Sequence, residues 1–229
     1  HDGLGQGAID VMVAMEELGR GMVLEPLAHA FIASSVLTQY APAELQAAWL
    51  ARIASGGALV VLAQQERKAR YALEKCEAKS APAQSGYTLT ATKNIVPAGD
   101  QADAYLVPAQ LDGQIALFLV ERSASGVSAQ GYATQDGSRA AEVQFANASA
   151  TLITKDGLAA LELAVDTGIA SLCAEAVGVM DKAVALTVDY MNQRKQFGVT
   201  IASFQALRHR VADMKMQLEL ARSMSYYAS

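Results

Sequence analysis

Arg194-Lys-Gln-Phe197-Gly198, with Phe204-Gln205 a short way further on, gathers residue types that suit a nucleotide cofactor. A guanidinium can pair with a pyrophosphate. A phenylalanine ring offers a face to an adenine, and a glycine lets backbone come close. A primary amide donates and accepts at once. On the motif alone, ordinary surface chemistry on a helix–turn–helix remains the other reading.

The flanking pattern must place those residues between two helices. After Asp156-Gly157 the helical period persists to Arg194, and a second long helix is predicted over 203–227. Gly168 and Gly178 interrupt the first. Close helix packing is the favoured reading at Gly178, and room for a ligand is the other. At the other end of the chain, residues 8–18 read as a helix ended by Gly19-Arg20-Gly21, 24–40 as a second and 44–53 as a third. Between these groups the pattern shortens. Residues 59–62, 87–91, 104–107, 115–120, 127–132 and 141–145 are apolar or alternating runs split by Gly, Pro, Asp and Ser, predicting a mostly antiparallel sheet. Residues 75–85 read as a mobile polar loop. The fold class is α+β, with expected domains over 1–57, 58–155 and 156–229.

The 229 residues are 52% apolar and 18% charged, enough for a buried core and contrary to disorder. A net charge of −5 with scattered cations leaves no basic stripe, so nucleic acid is not an expected partner. No unbroken apolar run reaches membrane-spanning length, the longest, 58–63, being strand-sized, so no membrane is expected. Two cysteines, Cys76 and Cys173, and three histidines make neither an ordinary structural zinc site nor a secreted disulfide framework. No metal is expected, and the compartment reads as reducing and cytoplasmic. The chain opens at His1 in a loop bearing Gly3, Gly5 and Gly7, and stops at Ser229 in a helical pattern, so a segment of a longer protein is expected.

Helices, then sheet, then long helices carrying Arg-X-X-Phe-Gly and Phe-Gln resemble the acyl-CoA dehydrogenase family. Met15-Glu-Glu-Leu-Gly-Arg20, Gly86-Tyr-Thr-Leu, Thr92-Lys93, Ala102-Asp-Ala-Tyr-Leu-Val107 and Ala174-Glu-Ala-Val-Gly178 extend the likeness in the family's order along nearly the whole chain. Thr134-Gln-Asp-Gly-Ser-Arg-Ala-Ala-Glu142 and Cys173-Ala-Glu-Ala-Val-Gly178 look most like the small subunit of pimeloyl-CoA dehydrogenases. The resemblance implies N-terminal helices, a middle antiparallel β-domain and a C-terminal long-helix bundle, with further helices at both ends in full-length members. It implies FAD as cofactor, an acyl-CoA substrate, an electron-accepting flavoprotein and a homo- or hetero-oligomer. It implies too that Arg194, Gln196, Phe197 and Gln205 reach the pyrophosphate and adenine of a neighbouring subunit's FAD.

Departures from the family pattern concentrate on the flavin face. The usual Thr-Glu-Pro run is Gln65-Glu66-Arg67 here, Arg70-Tyr71-Ala72 stands in place of Gly-Ser-Asp, and Ile95 and Pro97 replace a tryptophan and a threonine. Proline has neither N–H nor hydroxyl to donate. No catalytic residue is expected in this chain. Gly168 aligns with a glutamate that serves as base in a minority of members, and Glu162 and Glu175 are weak substitutes on the same helix. Arg139, next to Asp136, is the candidate substrate-binding residue, although a salt-linked turn explains both equally well. Arg67, Arg70 or Arg139 are the cations a terminal substrate carboxylate could meet. Three functions follow from these features. The favoured one is a partner subunit contributing its turn to a companion's FAD. The others are a self-sufficient homotetrameric dehydrogenase with its base in further C-terminal sequence, and a non-catalytic assembly protein on the same fold.

Overall fold

The computed structural model describes residues 7–69 and 71–229. Gly3 and Gly5 of the expected opening loop, and Arg70, lie outside the described residues. Two compact units emerge, one from residues 24–168 and the other from residues 7–23 with 169–229.

In the first unit, α2 (Leu27–Tyr40) and α3 (Ala43–Ala54) precede seven strands: β1 (Val60–Leu62), β2 (Lys79–Pro82), β3 (Tyr87–Pro97), β4 (Ala104–Leu111), β5 (Gln114–Glu121), β6 (Val127–Ala133) and β7 (Arg139–Thr154). The pairings return on themselves through β4, β2, β3, β7 and β5, while β1 adds parallel to β4 and β6 antiparallel to β7. Period-two alternation sends β4 and β5 side chains to two cores. Tyr105, Val107, Phe118 and Val120 join Leu89, Val143 and Phe145 inside, with the Tyr105 and Phe145 rings edge to face at 5.6 Å. Leu106, Leu117 and Leu119 pack against Ile32, Val36 and Leu37 of α2, Trp49 and Leu50 of α3, and Ala160, Leu161 and Ala164. Full burial of each large apolar side chain is worth about 1.5–3 kcal/mol. Both faces being buried explains why β4 reads as a continuous apolar run.

The expected mobile loop at 75–85 contains strand β2, a correction. Lys79-Ser-Ala-Pro82 lacks an apolar alternation, and its order comes from four antiparallel partners on β3. Backbone pairing, not side-chain pattern, makes this strand.

Inside the strand ring Lys93 is wholly buried. Its ammonium donates to Glu66 Oε1 at 2.7 Å and to the Pro108 carbonyl at 3.0 Å. Glu66 also accepts the backbone N–H groups of Glu77 at 2.6 Å and Ala78 at 3.1 Å. Burial alone would raise the Glu66 carboxyl, but the Lys93 charge and these donors together hold it below the ordinary carboxylate range.

The second unit comprises α1 (Ala8–Gly21), α5 (Gln205–Ala228) and the greater part of α4 (Gly157–Gln193), with a hairpin between α4 and α5. Gly19 does not stop α1 as expected. It is a buried helical residue, and the helix ends two residues later because Met22 takes a left-handed conformation, φ 53°. A Cβ on Gly19 would strike the Glu175 backbone, and one on Gly178 would meet the Glu16 carbonyl and the Arg20 nitrogen. The two glycines therefore set the approach of α1 to α4, the packing reading of Gly178. Around them, buried Glu16 pairs with Arg20 at 3.2 Å and with Arg222, while Asp181 takes Arg20, Arg222 and Lys215.

By length and composition α4 is apolar enough to cross a membrane. Counting unbroken apolar runs missed this, because small and apolar residues in α4 are interspersed with acids. Ala160, Leu161, Ala164, Ala174 and Val177 are buried, as in a bundle helix.

Gly178→Ala is expected to lower stability in urea by about 1–3 kcal/mol, since rigid backbone cannot yield to the new methyl. Gly168→Ala meets only the movable end of Ile32, at 3.1 Å. There a helix-propensity gain of about 0.5–1 kcal/mol offsets the displacement, and the urea midpoint should barely move. Glu66→Gln strands a buried ammonium and should cost about 3–5 kcal/mol near neutral pH. Because the folded carboxyl titrates below its unfolded value of 4.5, its contribution is full above that pH and disappears as pH falls through the depressed folded value. Urea titrations at a series of acidic pH values should therefore show a steep loss in the wild type and a flatter one in Glu66→Gln.

Candidate functional site

In the second unit α4 ends at Gln193, and Arg194 begins a small hairpin. The Arg194 N–H donates to the Tyr190 carbonyl, and the Arg194 carbonyl accepts from Ile201, each at 2.8 Å. Strands β8 (Lys195–Gln196) and β9 (Val199–Thr200) pair across Phe197-Gly198, whose φ angles of 52° and 80° make a two-residue turn with both centres left-handed. Glycine adopts that geometry freely, whereas a side-chain-bearing residue there costs about 1–2 kcal/mol. Phe197 accepts this strain and stands 91% exposed, its ring edge-on to Phe204 at 6.2 Å.

A 3-10 turn, Ile201–Ser203, leads into α5, whose first turn is tied back by Arg208 Nε donating to the Ala202 carbonyl at 2.6 Å. Arg194, Gln196 and Gln205 are exposed. Among the described residues no carboxylate lies within ion-pairing distance of Arg194, and the Gln196 amide donates only to the Lys195 carbonyl. One short segment thus presents a cation, a ring and two amides to solvent.

The first unit carries a separate cleft of about 360 Å³ lined by Gln65, Glu66, Arg67, Asn94, Ile95, Tyr132 and Glu142. Glu66, which Lys93 holds from within the core, is part of its lining, and the Asn94 N–H donating to the Gln65 carbonyl at 2.8 Å joins two of its walls. The β3–β7 register runs from Lys93 opposite Val143 to Val96 opposite Ala141, so Asn94 and Ile95 together face Glu142. This is a β-bulge. Ile95 takes a left-handed φ of 49°, an outlier for a β-branched residue, and is 59% exposed. Glu142 Oε2 accepts from Asn94 Nδ2 at 2.8 Å and lies 3.4 Å from the Arg67 guanidinium. Gln65 and Ile95, read as flavin-face positions, are thus neighbours. Glu142, Asn94 and Tyr132 were not foreseen. The available signal was Glu142 as the one charge within 140–145, but only the bulge reveals which residues it meets.

Arg139 starts β7 and pairs with Asp100, Nε to Oδ2 at 2.6 Å. The salt-linked turn is therefore made with Asp100 and not with Asp136. Asp136 instead accepts the Thr134 and Ser138 hydroxyls and the Ser138 N–H, which together lower its carboxyl to about 2. Of the other cations considered for a substrate carboxylate, Arg67 faces Glu142. Gly168 lies against Ile32, Glu162 is exposed, Glu175 is half-buried, and Tyr71 is 88% exposed.

Residues 155–229 match the family described as acyl-CoA dehydrogenase, C-terminal domain. Acyl-CoA dehydrogenase FadE27 of Mycobacterium tuberculosis is 28% identical over 215 residues, 92% of this chain and 56% of that protein. An acyl-CoA dehydrogenase of Bacillus subtilis is 26% identical over 247 residues, covering 100% of this chain and 65% of its own length. Among solved structures, a chain of the ChsE4–ChsE5 complex from Mycobacterium tuberculosis superposes with a TM-score of 0.87 at 26% identity, over 99% of this chain and 62% of that one. The chain therefore spans less than two thirds of these relatives. With likeness along nearly all of its own length, and helices, β-domain and long helices in the same order, the chain is similar to acyl-CoA dehydrogenases, and residues 155–229 carry that family's C-terminal domain.

Proposed function

We propose that this chain is an acyl-CoA dehydrogenase-type subunit that works beside a companion subunit, to whose FAD it offers Arg194, Gln196, Phe197 and Gln205. The observation carrying this reading is the exposed, strained hairpin, with Phe197 held at positive φ and Arg194 lacking a carboxylate partner among the described residues. Backbone strain persists where the surrounding fold enforces it, and such positions cluster at ligand sites. A guanidinium there suits a pyrophosphate, and the ring and amides suit an adenine and its linker. Similarity to a ChsE4–ChsE5 complex supports an assembly of unlike chains.

The reaction proposed for the assembly is α,β-dehydrogenation of an acyl-CoA thioester. Bound FAD supplies the hydride-accepting chemistry. The α-proton of a thioester is weakly acidic, so its removal needs a carboxylate in a dry pocket and hydrogen bonds to the thioester carbonyl. In this reading the companion provides that carboxylate, since Gly168 has no side chain and abuts Ile32. An electron-accepting flavoprotein then reoxidises the assembly. A dicarboxyl-CoA ester fits the pimeloyl-type likeness, and its terminal carboxylate would have to displace Asp100 from Arg139. Packing of α4 within a helical bundle suits a soluble, cytoplasmic protein.

The chain expressed alone with its full natural sequence should be colourless, and should carry flavin only when assembled with its large companion. Within that assembly Arg194→Ala removes a charge-assisted phosphate contact of about 1.5–3 kcal/mol, so FAD affinity should fall roughly ten- to a hundredfold. Flavin absorbance after gel filtration reads both. A yellow lone chain that reduces an acceptor with acyl-CoA contradicts the proposal, and so does an assembly whose flavin content ignores Arg194→Ala.

A further inference from the structure

We propose that Glu142 closes this chain's own β-domain cleft to a flavin ring. The inference extends the partner-subunit reading and rests on it only for the identity of the ligand refused.

A flavin ring offers mainly acceptors along its polar edge, two carbonyls and several ring nitrogens, so a receiving surface needs free donors. The cleft has two strong donors besides Gln65, the Asn94 amide and the Arg67 guanidinium, and both are turned to Glu142 Oε2, at 2.8 and 3.4 Å. The position of the carboxylate is not a rotamer accident. The bulge sets Asn94 and Ile95 together against Glu142 on β7, and Gln130 of β6 pairs with Glu142 from the other side. Backbone on both flanks therefore holds the acid at the cleft.

A ring entering there would meet an acceptor where it needs donors, and would have to strip water from an ion pair whose Arg67 side chain is 82% exposed. Covering such a pair without replacing its solvation is unfavourable. Pro97, further along the same strand, contributes no N–H in compensation. The residues present do not fit the ring that the fold family implies. The strained Ile95 bulge remains, and a carboxylate fills what it exposes.

Riboflavin tests this directly, because it has the ring and lacks the pyrophosphate that Arg194 would hold. Titrated into the full chain and followed by quenching of flavin fluorescence and by its visible band, it should give no saturable change with the wild type. Glu142→Gln keeps the shape and adds a donor, and Glu142→Leu removes the charge. With thermal melts confirming that both are folded, at least one should bind riboflavin tenfold or more above the wild type. Saturable ring perturbation in the wild type overturns the proposal, as does equal silence from both folded variants. Either result leaves untouched the flavin content of the Arg194→Ala assembly, on which the partner-subunit reading stands or falls.

Discussion

A lysine ammonium sealed inside a ring of strands must be given oxygen, and much of the β-domain answers to that need. Lys93 takes Glu66 and the Pro108 carbonyl, with the Gln64 carbonyl at 3.4 Å. Glu66 in turn requires the Glu77 and Ala78 amides. Two chain segments of little regular structure, one on each side of Lys68, are thereby fastened to the middle of β3 and of β4, at Lys93 and Pro108. Cys76 joins the same cluster, its thiol near the Pro108 carbonyl and raised by burial, which makes it a packing group and not a nucleophile. The wall of the cleft, Gln65 and Arg67, stands where it does because Glu66 between them is anchored inward.

From that anchor the chemistry of the cleft follows by alternation and its interruption. Lys93 points in, the bulge takes up Asn94 and Ile95, and Val96 points in again. The interruption turns Ile95 outward and brings Asn94 to Glu142. In the other unit a comparable local cost is paid at Phe197, held left-handed at the tip of a two-residue turn. Each unit thus places a residue of positive φ, Ile95 in one and Phe197 in the other, beside a polar surface. The two surfaces differ in what they leave available: the hairpin presents a cation with no carboxylate beside it among the described residues, and the cleft presents donors already turned to an acid. That contrast favours a chain that serves a nucleotide held elsewhere.

Much of this was legible in the sequence, for identifiable reasons. Long helical periodicity gave α4 and α5 nearly to the residue, and the Arg-X-X-Phe-Gly spacing marked the hairpin between them. Six of the seven strands announced themselves as short apolar runs, although β3 and β7 extend well past the predicted ends. Extension through Lys93 and Asn147 depends on partners, not on local pattern. Gly19 misled because glycine both ends helices and permits close helix contact, and only the position of Glu175 on α4 decides which. Helical spacing foretells the Glu16–Arg20 pair, four residues apart, but the pairs that bring Asp181 and Arg222 to these residues join distant parts of the chain, and nothing in the spacing foretells them. Glu142 was hidden for a similar reason, since a bulge shifts facing relations that strict alternation would otherwise give.

The central claim is that nucleotide contacts persist on this chain while its own ring site does not. Counting flavins in the purified assembly, by absorbance of released FAD against quantified chains, addresses it most directly. An assembly of this chain with an equal number of companions should hold half as many flavins as total chains. As many flavins as chains would contradict the account, because this β-domain would then be holding a ring of its own.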